Sequence, residues 1–365
     1  MEARTSVERK SIGIRELARY LNVSIGTVSR ALNGRTDVNP ETRRRVREAA
    51  ARLGYAPNHS GRTLRQGTTN TVALMMRTNT DQMSFGETFF MTLSEGVQNV
   101  LARHNLDLVI LPCASTQNQD EYLRRAVERH LADGFIISDT QRIDRRIDYL
   151  IDRQIPFVAL GRSLSGGSHP WIDLDFEGVV QQSVDRLIGL GHCRIALGMA
   201  AREVNNRYIF EEAYRNALAA HGIPFDSGLV IHVPNTEVGG YDLGRELLAR
   251  DDRPTSVVLA QETLAIGLYR SLSEAGLDPG RDLSVIGFRQ NPTCRFLSPS
   301  LTCFSLSLQE LGVRLGEALV EVIDRSPSRI DPDSISEVWP MTLVAGESDR
   351  PAEASPPKRR KRTRG

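Results

Sequence analysis

Near the start of the chain, apolar residues recur every three or four positions in three short stretches. In IRELARYL, Ile14, Leu17, Ala18 and Leu21 fall on one face, the spacing of an amphipathic helix. Asn22-Val23-Ser24 reads as a turn, with Ser24 placed to cap the next stretch, IGTVSRALN, whose inner face is Val28, Ala31 and Leu32. Asn33-Gly34 marks its end, since both residues tolerate positive φ. Asn39-Pro40 opens a third helix, ETRRRVREAAARLGY, with Asn39 as cap, Val46, Ala49, Ala50 and Leu53 inward, and Gly54 as stop. From residue 70 the pattern changes. Short apolar runs at 71–76, 107–111, 134–137, 156–160, 195–198, 229–233, 256–259 and 284–287 alternate with helical stretches such as DEYLRRAVERHLA and LAIGLYRSLSEAG. Strand–helix alternation of this kind predicts parallel sheets flanked by helices, and a body of this length predicts two lobes.

Charge divides the chain along the same lines. The formal total over 365 residues is +1. Residues 1–66 carry a net +8, residues 351–365 a net +5, and the body between them −12. A basic end on an acidic body predicts a polyanion-binding module. The four cysteines, Cys113, Cys193, Cys294 and Cys303, show no metal-ligand or disulfide spacing and read as buried thiols of a reducing compartment. No apolar run approaches the ~18 residues of a membrane-spanning helix. The first residues lack the apolar core of a secretory signal. The expectation is a cytoplasmic protein with no membrane partner.

Two short helices joined by a turn, with a third packed on them, make a helix-turn-helix, whose second helix enters the major groove of DNA. Ser24, Ile25, Gly26, Thr27, Ser29 and Arg30 begin or line that helix. Arg30 suits bidentate pairing with guanine. Ser24, Thr27, Ser29, Asn33 and Thr42, with Asn39 beside them, are short polar groups suited to phosphate oxygens.

The string LARYLNVSIGTVSRALNGRTDVNPETRRRVREAAARLGYAPN closely resembles the headpiece of the lactose-repressor/galactose-repressor family of bacterial transcription regulators. The shared pattern is VS-x-x-TVSR-x-LNG, TR-x-x-V and LGY-x-PN. In that family Ile25 and Gly26 would occupy positions where base contacts vary. The resemblance continues through NHSGRTLRQ, which in the family is a hinge that becomes helical on DNA. Leu64 matches the residue inserted into the minor groove, where an apolar wedge kinks the duplex, and Asn58, Arg62 and Arg65 flank it. Gly61 departs from the usual alanine.

LADGFII, IPFVALGR, LIGLGHCRIAL, DLSVIGF and LSPSLTCF resemble the family's effector domain, which is similar to two-lobed periplasmic sugar-binding proteins. The resemblance implies Phe90, Arg162, Asp175 and Gln261 as effector contacts near strand ends, where open α/β sheets bind ligands. Where the family has an Arg and a Gly in the helix RYIFEEAYRNAL, this chain has Phe210 and Ala213, and Arg207 is a substitute. The family's Asn-Asp reads Gln261-Glu262. Arg289 stands where a carboxylate commonly binds a sugar hydroxyl. With Arg162 and Arg207, Arg289 raises an anionic effector, a sugar acid or phosphate; pairing of Arg289 with Glu262 or Asp175 would instead leave a neutral sugar.

The expected fold is an all-α helix-turn-helix headpiece (1–57), a hinge and linker (58–69), and a periplasmic-binding-protein-like α/β domain (70–346). Lobe one covers about 70–170 and 299–329, and lobe two about 171–298 and 330–346. Residues 347–365 are expected to form a disordered basic tail that adds salt-sensitive DNA affinity. No nucleophile elbow, Walker loop or H-E-x-x-H pattern is present, so neither enzymatic activity nor a metal or other cofactor is expected. His192 reads as structural. The expected function is a regulator, most simply a repressor, that binds a palindromic operator as a homodimer under control of a sugar or anionic sugar derivative. A regulator with a vestigial pocket or a protein co-regulator is one alternative. A transporter's solute-binding protein is another, and the headpiece argues against it.

Overall fold

A computed structural model describes residues 12–32, 35, 37–55, 68–78, 86–325 and 335–352. They fall into two units, Met1–Thr68 and Thr69–Gly365. Asn33, the hinge residues Asn58, Gly61, Arg62, Leu64 and Arg65, and residues 353–365 lie outside the described residues.

The first unit holds α1 (Ile14–Leu21), α2 (Ile25–Leu32) and α3 (Pro40–Leu53). The predicted inner faces meet in one core, with Leu17, Val28, Ala31 and Val46 fully buried. The caps also form: Thr27 N donates to Ser24 Oγ at 3.0 Å and Glu41 N to Asn39 Oδ1 at 2.9 Å. Gly54 ends α3 at φ 65°. Two arginines brace the unit. Arg43 donates to the carbonyls of Arg35 and Val38, and Arg52 donates to the Tyr20 hydroxyl at 2.8 Å.

The second unit runs β1 (Thr71–Thr78), α4 (Gly86–Leu101), β2 (Asp107–Ala114), α5 (Gln119–Glu128), β3 (Gly134–Ile137), α6 (Arg145–Asp152), β4 (Phe157–Leu160) and β5 (Trp171–Leu174). Then come α7 (Phe176–Gly189), β6 (Ile195–Ala200), α8 (Asn205–Ala220), β7 (Val230–Val233), α9 (Glu237–Leu248), β8 (Ser256–Leu259), α10 (Thr263–Glu274), β9 (Ser284–Arg289) and α11 (Pro292–Phe296). It closes with β10 (Thr302–Ser305), α12 (Leu308–Arg325), β11 (Ser336–Trp339) and β12 (Thr342–Val344). One sheet has the order β11-β5-β4-β3-β1-β2 and the other β12-β10-β9-β8-β6-β7. All pairings are parallel except β10 with β12. Strands such as FVAL and SVVL are buried throughout, as strands covered by helices on both faces must be.

Three expectations are corrected. The expected lobe boundaries assign β5 and β11 to lobe two and β10 to lobe one. In fact β5 continues the first sheet beside β4 and takes β11 on its other edge, while β10 pairs with β9 in the second. The chain therefore crosses between lobes after β5, after β10 and after β11. Local pattern marks a strand but not the sheet that accepts it. Secondly, the expected tail begins too early. Ser348 and Asp349 are buried: Ser348 Oγ donates to the Val285 carbonyl, and Asp349 accepts from Thr302 Oγ1 and pairs with Arg186. Ala352 N still bonds Leu190 O at 2.8 Å. Thirdly, Cys193 is exposed, while the other three cysteines are buried. His192 is structural as expected, bonded to Thr255 Oγ1 and the Arg350 carbonyl.

In each lobe one helix pair packs backbone to backbone through glycine. A Cβ at Gly312 of α12 would lie 2.1 Å from the Leu93 carbonyl of α4, and one at Gly267 of α10 would lie 1.7 Å from the Glu237 carbonyl of α9. Overpacking of this kind costs about 1–3 kcal/mol. Gly312→Ala and Gly267→Ala should each lower the unfolding free energy by that amount, read as a lower urea midpoint with the slope unchanged, whereas Gly189→Ala, with open space at its Cβ, should not. An unchanged midpoint for Gly312→Ala would show that α4 and α12 are not in backbone contact.

Candidate DNA-reading helix and ligand cavity

On the headpiece, α2 buries Val28 and Ala31 and leaves Ser24, Ile25, Gly26 and Arg30 exposed, with Thr27 and Ser29 half-buried. Ile25 is 43% exposed, unusual for an isoleucine, and lies on the face that a groove would meet. Among the described residues Arg30 pairs with Asp37, Nη1 to Oδ2 at 3.6 Å, with both side chains more than half exposed. Such a surface pair is worth at most about 1 kcal/mol, so the guanidinium is easily released to another partner. Thr42 is half-buried on α3, and the Asn39 oxygen is engaged as its cap.

In the second unit, the carboxyl ends of both sheets face a cavity of about 220 Å³. From the first sheet come Met76, Arg77 and Thr78 at the end of β1, Phe89 and Phe90 on α4, Asp139 beyond β3 and Leu174 at the end of β5. From the second lobe come Phe176, Met199, Arg202, Asn206, Arg207, Phe210, Asn235, Gln261, Glu262, Phe288 and Arg289. Phe176, Phe210 and Phe288 form one aromatic floor with ring centroids 5.5 Å apart pairwise.

The charges in the wall are largely matched. Arg289 donates through Nη2 to Glu262 Oε1 at 2.6 Å, and both side chains are nearly buried. The same guanidinium lies 4.6 Å over the Phe89 ring, across the cavity. Arg202 reaches across to Asp139 at 2.9 Å. Asp139 sits at φ 54°, a conformation aspartate tolerates better than most residues. Arg207 pairs with Glu203 at 2.7 Å, and Arg77 donates to the Ser115 carbonyl at 2.8 Å. Two polar atoms of the described cavity wall are buried without a partner: the Arg207 Nε donor and the Asn235 Oδ1 acceptor.

Of the expected effector contacts, Phe90, Arg207, Gln261 and Arg289 line the cavity, and Arg162 and Asp175 do not. Arg162 turns to Asp173 and forks onto both oxygens of Glu177 at 2.8 Å. Burial opposes its charge, but these two carboxylates hold it protonated above the ordinary guanidinium range. Asp175 caps α7, accepting from Gly178 N at 2.8 Å. Both are therefore framework at the crossing between lobes. There Asn205 also ties the lobes, with its N–H to the Thr140 carbonyl and its amide to the Arg162 carbonyl, each at 2.8 Å. The expected cluster of Arg162, Arg207 and Arg289 does not converge. Sequence reasoning missed Arg77, Asp139, Arg202 and Asn235. All four lie at or just beyond a strand's carboxyl end, so the strand-end rule applied to every strand would have found them.

Comparison with known proteins places this geometry. Residues 13–58 match bacterial regulatory proteins of the lacI family, and residues 184–348 match a periplasmic binding protein-like domain. The transcriptional regulator AglR of Rhizobium meliloti is 31% identical over 350 residues, which cover 93% of this chain and 95% of that protein. A transcriptional regulator CelR–cellobiose complex superposes with a TM-score of 0.69 at 27% identity, covering 92% of this chain and 99% of that one. The lac repressor dimer bound to operator and the anti-inducer ONPF shares the fold, with a TM-score of 0.80 at 21% identity, covering 93% of this chain and all of that one. With a helix-turn-helix at one end, a two-lobed body behind it and a relative matched along nearly the whole chain, the protein belongs to the lacI family of bacterial regulatory proteins: it is a DNA-binding transcription regulator, not an enzyme.

Proposed function

We propose that the protein is a repressor that binds a palindromic operator as a homodimer and responds to a neutral saccharide in the interlobe cavity. The observation that carries the ligand class is the pair of unpartnered polar atoms in the cavity wall. A buried donor or acceptor left unsatisfied costs about 1–3 kcal/mol. Arg207 Nε asks for an acceptor and Asn235 Oδ1 for a donor, and hydroxyls are both. The aromatic floor offers the apolar face of a sugar ring a surface. The internal pairing of Arg289 with Glu262 and Arg202 with Asp139 leaves little uncompensated positive charge for a carboxylate or phosphate. Solved structures of similar chains contain cellobiose and ribose, which supports the same class. For DNA, Ser24, Ile25, Gly26, Thr27, Ser29 and Arg30 on or beside α2 face the groove, with Asn33, Asn39 and Thr42 at its margin. Leu64 is the minor-groove wedge, flanked by Asn58, Arg62 and Arg65.

Thermal-shift titration tests the ligand class. A neutral mono- or disaccharide should stabilise the protein by about 2.7 kcal/mol at a hundredfold excess over Kd, and sugar acids and phosphates should not. Asn235→Ala should weaken that ligand at least tenfold while leaving the ligand-free melting temperature unchanged or slightly raised, since no internal bond is lost. Stabilisation by anionic sugars alone would refute the neutral reading. On DNA, Arg30→Ala should lose about 1–3 kcal/mol of preference for operator over scrambled duplex in a gel-shift competition. An equal loss on both duplexes would assign Arg30 to phosphate instead of a base.

A further inference from the structure

The cavity continues past its aromatic residues into a second chamber of about 120 Å³. Phe89, Phe90, Leu174 and Phe176, with Asp139 and Asn206, border both spaces and form a waist between them. Ser138, Thr140, Leu160, Gly161 and Asp173 line the second chamber alone, at the carboxyl ends of β3, β4 and β5. The chamber therefore lies beside the crossing after β5. Gly161 keeps its wall open: its φ is 120°, and a Cβ there would lie 2.4 Å from Thr140 Oγ1.

The two chambers differ in what they offer a ligand. The unpartnered Arg207 Nε and Asn235 Oδ1 belong to the first alone. The second presents acceptors. Ser138 Oγ donates to the Met75 carbonyl at 3.0 Å and Thr140 Oγ1 to the Arg162 carbonyl at 3.1 Å, so each hydroxyl meets a ligand with its lone pairs. Asp139 gives Oδ2 to Arg202, and its Oδ1 can accept from a ligand. Asp173 adds a second carboxylate, paired with Arg162. Such a lining accepts hydroxyl hydrogens and disfavours a carboxylate or phosphate. Ligand sites span roughly 300–1,000 Å³. The first chamber falls below that range, and the two together enter it. We propose that the effector is a neutral disaccharide that fills both chambers. One unit bonds Arg207 and Asn235, the linkage crosses the waist at Phe90, and the other unit bonds Asp139 and Thr140. This rests on the neutral-saccharide reading above and narrows it.

Isothermal titration calorimetry of the full chain tests it with maltose, cellobiose, lactose, melibiose, sucrose and trehalose against their units glucose, galactose and fructose. At least one disaccharide should bind about tenfold more tightly than either of its units, as expected of two further hydrogen bonds. Two variants localise the gain. Leu160→Phe fills the second chamber. Thr140→Val removes its hydroxyl, while the Arg162 carbonyl keeps the Asn205 amide. Both should hold monosaccharide affinity within about twofold. Leu160→Phe should abolish the disaccharide preference, and Thr140→Val should cut it about three- to tenfold. Where Leu160→Phe weakens both kinds of sugar equally, Thr140→Val decides. A monosaccharide bound as tightly as every disaccharide containing it overturns the two-chamber assignment and leaves the neutral-saccharide reading standing. A preference unchanged in both variants also overturns it, since the second unit then lies elsewhere. Binding of glucuronate or glucose 6-phosphate with none of the neutral sugars removes the neutral reading and this assignment together. No binding by any disaccharide of the set overturns the assignment.

Discussion

The parallel sheet is the constraint from which the rest of the body follows. Helices cover both faces of each sheet, so the strands are apolar along their length and only loops at strand ends are free to carry chemistry. Joining two such sheets by crossings after β5, β10 and β11 turns both carboxyl edges toward one space. Every charged group of the cavity wall lies at or just beyond such an edge, or, like Arg207, in the first turn of the helix that follows it. The crossings themselves need rigid, polar anchoring. Arg162 supplies it with charge-assisted bonds to Asp173 and Glu177, and Asn205 with an amide bond to the Arg162 carbonyl, all at 2.8–2.9 Å.

The cavity also shows why the charge of one side chain is a poor guide to a ligand. Arg289 stands where a carboxylate is common in the family, which taken alone inverts the local charge. Its neighbour Glu262 restores the balance, and the pair is nearly buried. A buried pair adds little net stability, yet removing one partner leaves a costly lone charge. Charge reversal at one position is therefore tolerated when the adjacent residue answers it, and the ligand meets a dipole instead of a cation. The guanidinium then serves by its flat face over Phe89, linking the two lobes.

Local periodicity carried much of the fold. The three headpiece helices, their caps at Ser24 and Asn39, and the eight apolar runs of the body all reappear as elements. What failed was long-range. Trp171–Leu174 forms β5, but nothing within it says that Leu160 and Val338 are its neighbours rather than the strands of the second lobe. Residues 347–352 read as polar tail because Glu347, Ser348, Asp349 and Arg350 have no apolar face. They are held by hydrogen bonds to Val285, Thr302 and His192, partners up to 158 residues distant. The cavity was legible in half-measure for the same reason. Gln261 and Arg289 sit where a strand ends and Phe90 near the start of the helix after β1, but Asp175 is claimed by its own helix as a cap and Arg162 by two carboxylates from neighbouring segments.

Control by a ligand requires that it bind one arrangement of the lobes better than another. The groups that line the cavity are unevenly divided. Arg207, Asn235, Gln261, Glu262 and Arg289 belong to the second lobe, whereas the first contributes Phe89, Phe90, Leu174, Arg77 and Asp139. A ligand of the proposed kind can thus meet the polar groups of the second lobe first and gain the aromatic contacts of the first only on closure. The ion pair that crosses the cavity, Arg202 to Asp139, is about one-quarter exposed on each side, and a pair of that kind contributes on the order of 1 kcal/mol. A ring buried against Phe90 and the satisfaction of even one stranded polar atom are each worth as much, so a ligand in the cavity can change how the lobes stand.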